Sequence, residues 1–182
     1  DLLLVVAGPS GVGKGTIVAG LRQRFPQLWE SVSCTTRAAR PGEVDGVDYR
    51  FLTRSEFEAL RHAGGFLEWF EVFGDLKGTP REPVEERLAA GDDVLLEIDV
   101  QGALEVREQF PDAVLVFVRP PSLEELRRRL ESRGTETEAA ITRRLADAEG
   151  ELARAAEFDH VVVNDDLERV VGEVAGILSG SS

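Results

Sequence analysis

The sequence predicts an α/β fold in which a parallel sheet is flanked by helices. Residues 2–7 are apolar throughout, as in a strand buried on both faces, and the run ends at a glycine-rich turn. Residues 16–25 then carry apolar side chains at helical spacing, and Pro26 marks the end of that helix. Similar apolar runs recur at residues 94–98, 114–118 and 161–163. This alternation of strand and helix is typical of a parallel sheet.

The composition indicates one domain outside the nucleic-acid-binding and membrane classes. The chain has 182 residues, of which 42% are hydrophobic, enough for a sizeable core. Its formal net charge of -13 argues against a polyanionic partner such as duplex nucleic acid. No apolar run approaches the roughly 18 residues of a membrane span, and the single cysteine, Cys34, excludes an intramolecular disulfide. We therefore expect a soluble cytoplasmic protein of undetermined oligomeric state, without structural zinc.

Two segments interrupt the alternation of strands and helices. Residues 31–83 carry short alternating segments around turn signals such as Pro41-Gly42, which predicts a small, largely antiparallel insertion. Residues 123–156 are densely charged and helical in pattern, with a break near Gly134, which predicts a mobile helical lid. The predicted core is the remainder of the chain, at residues 1–30, 84–122 and 157–182.

The glycine-rich turn after the first strand matches the spacing of a phosphate-binding P-loop. Small residues let successive backbone N–H groups surround a phosphate, while the lysine reaches the β- and γ-oxygens of ATP. The alternative is a glycine-rich turn that binds no nucleotide. Gly15 departs from the motif, which usually has a Ser or Thr ligand of Mg²⁺ there, so either Thr16 substitutes or water and phosphate oxygens hold the ion. The candidate ATP-binding residues of this turn are Gly8, Pro9, Ser10, Gly11, Val12, Gly13, Lys14, Gly15 and Thr16.

A second set of motifs lies in the predicted insertion. It comprises a Ser-Cys-Thr-Thr-Arg-Ala-Ala-Arg-Pro-Gly-Glu run over residues 33–43, an Asp-Tyr pair at 48–49 and a Phe-Leu-Glu-Trp segment at 66–69. Together with the P-loop, these motifs resemble guanylate kinases over nearly the whole chain. The resemblance implies a P-loop kinase with a five-stranded parallel core sheet, in which the insertion binds GMP and the lid is helical. It implies contacts to the GMP phosphate from Arg37, Arg40 and Tyr49, and contacts to the base from Ser33, Glu68 and Thr79.

The chemistry of guanine and phosphate agrees with these assignments. The Watson-Crick edge of guanine has two adjacent donors, N1–H and N2–H₂, which one carboxylate such as that of Glu68 accepts together. Adenine has an acceptor at that edge and is repelled. Two arginines three positions apart, Arg37 and Arg40, suit a doubly charged phosphate. The alternatives are ordinary surface charge for the arginines and an exposed strand carboxylate for Glu68.

Further polar residues lie at the carboxyl ends of predicted strands, where ligands bind in open α/β sheets. By resemblance, Asp99 approaches the guanine of GMP, and Glu97 lies near Mg²⁺ and the phosphates. The alternative for Glu97 is a structural role at the end of the sheet. Asn164, which follows the apolar run at 161–163, lies beside the adenine ring by the same resemblance, with a helix N-cap as its alternative.

The lid carries arginines that the resemblance places over the transferring phosphoryl group. Such a lid supplies positive charge in the transition state and excludes water that would hydrolyse ATP. The alternative for each arginine is an ion pair one helical turn away. The expected catalytic residues are Lys14, Arg37, Arg129, Arg133 and Arg144.

One position departs from the family pattern. Guanylate kinases usually have a phosphate-binding tyrosine immediately before Gly78, and here that residue is Lys77, one of two lysines in the chain. We expect its ammonium group to contact the GMP phosphate, since a point charge on a flexible stem meets a phosphate from many directions. The alternative is a solvated loop lysine in a turn over residues 75–78.

These features predict an enzyme of purine nucleotide metabolism that transfers the γ-phosphoryl group of ATP directly to GMP, and also to dGMP, with Mg²⁺ as cofactor. No catalytic base is needed, because the attacking phosphate oxygen is already ionised. His62 and His160 are therefore not expected to be catalytic. Two rival interpretations remain: a P-loop kinase for AMP or a pyrimidine nucleotide, and a non-catalytic guanylate-kinase-like module that binds peptides. The peptide-binding module has no need of the P-loop lysine.

Overall fold

A five-stranded parallel sheet lies at the centre of the computed structural model, which describes residues 1–134 and 136–180. Residue 135 of the predicted lid and residues 181–182 of the predicted core lie outside the described residues. In chain order, the elements are β1 (Leu3–Ala7), α1 (Lys14–Arg24), β2 (Trp29–Glu30), β3 (Cys34–Thr35), β4 (Arg50–Phe51), α2 (Arg54–His62), β5 (Phe66–Val72), β6 (Asp75–Pro80), α3 (Arg81–Ala89), β7 (Val94–Glu97), α4 (Val100–Gln109), β8 (Val114–Arg119), α5 (Leu123–Ser132), α6 (Glu138–Ala153), a short 3₁₀ helix (Ala155–Glu157), β9 (His160–Val163) and α7 (Leu167–Gly180).

The parallel sheet has the strand order β2-β7-β1-β8-β9, with β1 in the centre. Alternate residues of β1 point to opposite faces, so Leu3 and Val5 enter one core cluster while Leu4 and Val6 enter another. Every residue of β1 is buried, which explains why its sequence is apolar throughout. The predicted five-stranded parallel sheet is confirmed, and all five strands end at the same edge.

Helices cover both faces of this sheet. α1 and α7 pack on one face through Ile17, Leu21 and Val174, whereas α3 and α4 contribute apolar residues to the cluster on the other face. The approach of α7 to α1 is close, because a Cβ at Gly20 would lie 2.7 Å from Val171 Cγ2. The glycine therefore allows the two helices to meet at this crossing.

Residues 31–83 form a second sheet, with the strand order β4-β3-β6-β5. β3 pairs in parallel with β4 and antiparallel with β6, and β6 pairs antiparallel with β5. The sheet of this small insertion is therefore mixed, with two of its three strand pairs antiparallel. Its own apolar cluster contains Phe57 of α2 together with Cys34, Phe66 and Leu76.

Two local features of this insertion differ from the sequence-based prediction. α2 was missed, although Thr53 and Glu56 form a reciprocal capping box at its start. The predicted turn over residues 75–78 is wrong, because these residues lie in β6. The chain reverses at Phe73 and Gly74 instead, where both residues have positive φ angles, as a two-residue hairpin requires.

The segment after β8 is helical, as predicted. α5 and α6 pack on each other through a separate apolar cluster of Leu126, Leu130, Ile141 and Ala148. The predicted break lies between Ser132 and Glu138. No helix in the described part of the chain is both long and apolar enough to cross a membrane.

Phe57→Ala is expected to lower the free energy of unfolding by about 3–5 kcal/mol, because the ring is fully buried and its loss leaves a cavity. Urea denaturation followed by circular dichroism measures this change. Phe73→Ala is the matched control, since the same truncation at a side chain that is 79% exposed should change stability by at most about 0.5 kcal/mol. Equal effects of the two variants would contradict the assignment of Phe57 to a cohesive cluster.

Candidate active site

The loop between β1 and α1 has the geometry of an anion-binding site. Gly13 is the N-cap of α1 and has φ 95 and ψ 27, a left-handed conformation that glycine adopts without strain. The first N–H groups of a helix lack partners within the helix, and its dipole adds positive potential at that end. The loop therefore has backbone donors available to an anion, and the predicted binding of ATP phosphates there stays a prediction.

Lys14 lies where this loop meets two strand ends. Its ammonium nitrogen donates to the carbonyl oxygen of Gly8 at 2.8 Å and to that of Ile98 at 3.4 Å. Burial lowers the pKa of Lys14, and the carboxylates of Glu97 and Asp99 oppose that shift. The positive charge is thus held at the carboxyl ends of β1 and β7.

A cavity of about 820 Å³ runs from this loop to the second sheet. Of the predicted site residues within the described chain, its wall does not include Arg37, Arg40, Thr79, Arg129, Asn164, Pro9 or Val12. The predicted site residues that do line it come from both the ATP set and the GMP set. They are Gly8, Ser10, Gly11, Gly13, Lys14, Gly15, Thr16, Ser33, Tyr49, Glu68, Lys77, Glu97, Asp99, Arg133 and Arg144.

Glu68 lies at the end of the cavity formed by the second sheet. Its side chain is buried, with the residue only 4% exposed, so the alternative of an exposed strand carboxylate is wrong. One oxygen accepts a hydrogen bond from the Thr79 hydroxyl at 2.7 Å. A Cβ at Gly102 would lie 2.9 Å from Glu68 Oε2 and 2.8 Å from Asp99 Oδ1, so the two carboxylates flank the same point. Burial raises the pKa of Glu68 to about 7, and Asp99 adds to the shift.

Glu97 and Asp99 are fixed by the end of β7. Asp99 is the N-cap of α4 and accepts a hydrogen bond from the Gly102 backbone at 2.8 Å. Glu97 is the last residue of β7, and its Oε1 lies 3.7 Å from the position that a Cβ of Gly15 would occupy. Glu97 therefore reaches the place in the loop where the usual motif has a hydroxyl side chain.

Two cationic side chains, those of Arg37 and Lys77, lie against the ring of Tyr49 beside the second sheet. The centroid of the tyrosine ring lies 4.9 Å from Arg37 Cζ and 5.1 Å from Lys77 Nζ. Arg37 is itself paired with Glu43 through two hydrogen bonds of 2.7 and 2.8 Å, and Glu43 also accepts from the Arg40 backbone. Lys77 and Tyr49 thus face the cavity, while Arg37 lies against the ring of Tyr49 and Arg40 is exposed.

The lid arginines reach the loop that precedes α1. Arg129 donates to the carbonyl oxygens of Val12 at 2.8 Å and Asn164 at 3.1 Å, in addition to an ion pair with Glu125 one turn earlier. Arg144 contacts the Ser10 hydroxyl and pairs with Glu136. The alternative of an ion pair within the helix therefore describes only part of the contacts of Arg129. Arg133 caps the C-terminus of α5 and lines the cavity.

A second recess of about 350 Å³ lies on another side of the same loop. Asn164 lines it and is buried, and its amide nitrogen donates to the Val12 carbonyl oxygen at 2.6 Å. The N-cap alternative for Asn164 is wrong, because the side chain of Asp166 accepts the hydrogen bond from the first turn of α7, at the amide of Arg169. Asn164 is therefore attached to the glycine-rich loop by its side chain.

Several residues at or beside this site were not predicted, and four of them have polar side chains that bear on its chemistry. Glu43 pairs with Arg37, and its place in the arginine-rich run was the available signal. Asp147 and Glu151 of α6 line the cavity, and their spacing from Arg144 puts all three on one helix face. Ser31 also lines it with a buried hydroxyl that has no hydrogen-bond partner in the described part of the chain, and no sequence signal marks it.

Comparisons with known proteins agree with one another. A family model described as guanylate kinase matches residues 2–181. A guanylate kinase from Gloeobacter violaceus is 58% identical over 176 residues, which cover 97% of this chain and 86% of that protein. One from Symbiobacterium thermophilum is 56% identical over 177 residues, covering 97% and 84%. The solved guanylate kinase structure from Anaplasma phagocytophilum has a TM-score of 0.78 and 36% identity, covering 99% of this chain and 85% of that chain. The chain therefore belongs to the guanylate kinase family.

Proposed function

We propose that this chain transfers the γ-phosphoryl group of ATP to GMP or dGMP, as its membership of a family of nucleoside monophosphate kinases indicates. One observation carries the proposal: a single cavity has the loop and Lys14 on one wall, and Glu68 with Lys77 on another. A nucleotide on each wall would direct its phosphates toward the other. Direct transfer requires such an arrangement, because most of the barrier is removed by alignment and charge neutralisation.

We assign the donor site to the loop and the start of α1. The backbone N–H groups would surround the β-phosphate of ATP, and Lys14 would exchange its carbonyl contacts for the β- and γ-oxygens. Ser10 and Thr16 place hydroxyl groups on the same wall. The backbone donors and the Lys14 ammonium group would stabilise the transition state more than the ground state, because negative charge develops on the transferring group as it moves.

We assign the acceptor site to the second sheet and the start of α4. Glu68, oriented by Thr79, would accept hydrogen bonds from guanine N1–H and N2–H₂, with Asp99 and Ser33 on the same wall. Lys77 and Tyr49 would hold the GMP phosphate together with Arg37, which lies against the Tyr49 ring, and Arg40. Glu43 would orient Arg37 in this group, because it fixes both terminal nitrogens of the guanidinium.

The chemistry would proceed by direct in-line attack of a GMP phosphate oxygen on the γ-phosphorus of ATP. That oxygen is ionised near neutral pH, since the second pKa of a phosphate monoester is about 6. No general base is required, which fits the position of His62 and His160 away from the cavity wall in the described structure. Arg133 and Arg144 line the cavity and would neutralise charge on the transferring group, with Arg129 placed behind the loop.

A Mg²⁺ ion fits this site if the nucleotides provide most of its ligands. No group of three or more His, Cys, Asp or Glu side chains in the described residues is arranged to hold a metal ion by itself. Mg²⁺ usually keeps several waters and takes one or two protein oxygens together with substrate phosphates. Glu97 and Thr16 would supply those oxygens, and the bound ion would neutralise charge on the β- and γ-phosphates.

The division of the chain into a core, a GMP-binding subdomain at 31–83 and a lid at 123–156 is also part of this proposal. The two inserted segments have apolar clusters of their own, separate from those of the core sheet. Separate clusters allow each segment to move as a unit when nucleotides bind. A cytoplasmic location stays a prediction, and it agrees with Cys34, a thiol whose pKa burial raises to about 11.

In a coupled assay of ADP formation with ATP, this chain is expected to prefer GMP to AMP, dTMP and CMP, because only guanine offers two adjacent donors to Glu68. Preference for AMP would favour the rival kinase. Absence of turnover with every acceptor would favour the peptide-binding module.

Lys14→Ala should lower turnover at least about a thousandfold while leaving the affinity for GMP nearly unchanged, since Lys14 would touch only donor phosphates.

GMP binding is expected to weaken as the pH falls below about 7, the raised pKa of Glu68. Below that pH the carboxyl group carries a proton and offers a donor to N1–H, so the KM for GMP should rise, with a limiting slope of about tenfold per pH unit. The protonated group can meet the N1 acceptor of adenine, so discrimination against AMP should fall over the same range. Steady-state kinetics between about pH 5.5 and 8.5 would record both effects, because this range includes the second pKa of the GMP phosphate and the raised pKa of Glu68.

Glu68→Gln is the control for this titration. The amide does not ionise, so any pH dependence left in the variant reports the phosphate of GMP, whose second pKa is near 6. The variant should also discriminate poorly between GMP and AMP at every pH, because an amide provides one acceptor and one donor. Identical pH profiles for the variant and the original chain would remove Glu68 from the base site.

Lys77→Ala is expected to raise the KM for GMP about tenfold or more, as the loss of a charge-assisted hydrogen bond to phosphate would. Lys77→Tyr should recover part of this loss, since a hydroxyl group would then point from the same position of β6. The measurement is the GMP dependence of turnover at low ionic strength, where charge effects are largest. A KM within twofold of the original for Lys77→Ala would leave the phosphate to Tyr49 and the two arginines.

A further inference from the structure

We infer that Asn164 is a positioning residue of the donor site: its amide fixes the Val12–Gly13 peptide so that the Gly13 N–H points at the donor phosphates. This inference rests on the proposed function, because it takes the loop to bind the phosphates of ATP. It differs from the expectation that Asn164 lies beside the adenine ring to contact the base. The residue would act through the loop backbone and not on the substrate itself.

Two side chains converge on one backbone oxygen of the loop. The carbonyl oxygen of Val12 accepts from Asn164 Nδ2 at 2.6 Å and from Arg129 Nη1 at 2.8 Å. A carbonyl oxygen has two lone pairs, so these contacts use its full capacity. Arg129 also donates to the Asn164 backbone oxygen at 3.1 Å, which closes a small network behind the loop. The orientation of the Val12 carbonyl is therefore fixed from outside the loop.

The orientation of that carbonyl determines where the next N–H points. No peptide bond in the described chain is cis, and in a planar trans peptide the C=O and N–H groups point in opposite directions. With the Val12 oxygen turned toward Asn164, the Gly13 N–H is turned to the other side of the loop. Gly13 lines the 820 Å³ cavity and begins α1, so its amide belongs to the set of donors that a bound phosphate meets.

The structure around Asn164 suits a fixed support. Its backbone N–H donates to the Arg119 carbonyl oxygen at 2.9 Å, directly after the pairing of β8 with β9. The residue thus extends directly from the end of β9, where it is held by pairing with β8. A Cβ at Gly13 would lie 2.6 Å from Asn164 Nδ2, so the close approach of the amide depends on glycine at that position. An anion-binding loop held in shape before the ligand arrives loses less entropy on binding.

Tripolyphosphate separates a loop support from a base contact, because it has the phosphates of ATP without the adenine. Isothermal titration calorimetry would measure its affinity for the original chain, for Asn164→Leu and for Asn164→Asp. Both substitutions keep the shape of asparagine and remove the donor. Asp165→Asn is the matched control: Asp165 lines the same recess and pairs with Arg169. In parallel, kcat/KM for ATP relative to CTP as phosphoryl donor would report any contact to the base.

Both Asn164 variants should bind tripolyphosphate about fivefold or more weakly, the loss expected when one hydrogen bond that holds a donor group is removed. Their ATP-to-CTP ratio and their affinity for GMP should stay within twofold, and Asp165→Asn should match the original chain throughout. Thermal unfolding identifies any variant that fails to fold, and Asn164→Asp then carries the test if Asn164→Leu does not fold. Unchanged tripolyphosphate affinity with an altered ATP-to-CTP ratio would overturn the inference in favour of a base contact. If both quantities are unchanged while ATP and GMP still react, the inference alone fails; if the original chain neither binds tripolyphosphate nor turns over GMP, the proposed function fails with it.

Discussion

The position of β1 between β7 and β8 is the constraint on which the candidate site depends. Parallel pairing with both neighbours fixes the height of the carboxyl end of β1, so the glycine-rich loop begins level with the last residues of β7. The loop then starts in a tight space, because a Cβ at Gly8 would lie 2.2 Å from the Val118 carbonyl oxygen. Lys14 joins the two strand ends through Gly8 and Ile98. Without the buried apolar sheet, none of these backbone groups would have a defined place.

An acidic chain that would bind two polyanions must concentrate its positive potential locally. The formal net charge is -13, yet the cavity contains Lys14, Lys77, Arg133 and Arg144 along with the N-terminus of α1. Carboxylates occupy the places between these groups. Some orient cations, as Glu43 does for Arg37, and some accept hydrogen bonds, as Asp99 does from the start of α4. Net charge therefore describes the protein surface poorly at the scale of a binding site.

The sequence predicted those parts of the fold that local pattern determines. β1, β7 and β8 are apolar runs, and the glycine spacing before Lys14 identifies the loop because that spacing serves the backbone. α2 was missed because it is only nine residues long, although Phe57 and Leu60 lie three positions apart on the face that packs against the second sheet. The segment around Lys77 had a turn as its alternative, because Gly78 favours turns, whereas pairing with both β3 and β5 makes the segment extended.

Side-chain pairings within the site depended on contacts that no local pattern records. Arg37 and Glu43 are near in sequence, but the choice of Glu43 over solvent depends on the loop that brings them together. Asn164 and Val12 come from distant parts of the chain and meet only because β9 and β1 end at the same edge. Burial of Glu68 likewise depends on α4, which follows it in the chain and packs against β5. The raised pKa of Glu68 could therefore not be predicted from the sequence.

The central place of β1 also has a consequence for how the protein folds as it is synthesised. Among the described strands, β1 is made well before its partners, which begin at Val94 and Val114, so neither edge of β1 can pair until those segments have been synthesised. Contacts between such distant segments form slowly, because a long loop has to close before any pairing is gained. During that interval the apolar residues 2–7 expose unpaired backbone and side chains together, the combination that promotes aggregation. The arrangement that holds the loop in place in the finished protein thus leaves β1 exposed to aggregation while its partners are still being made.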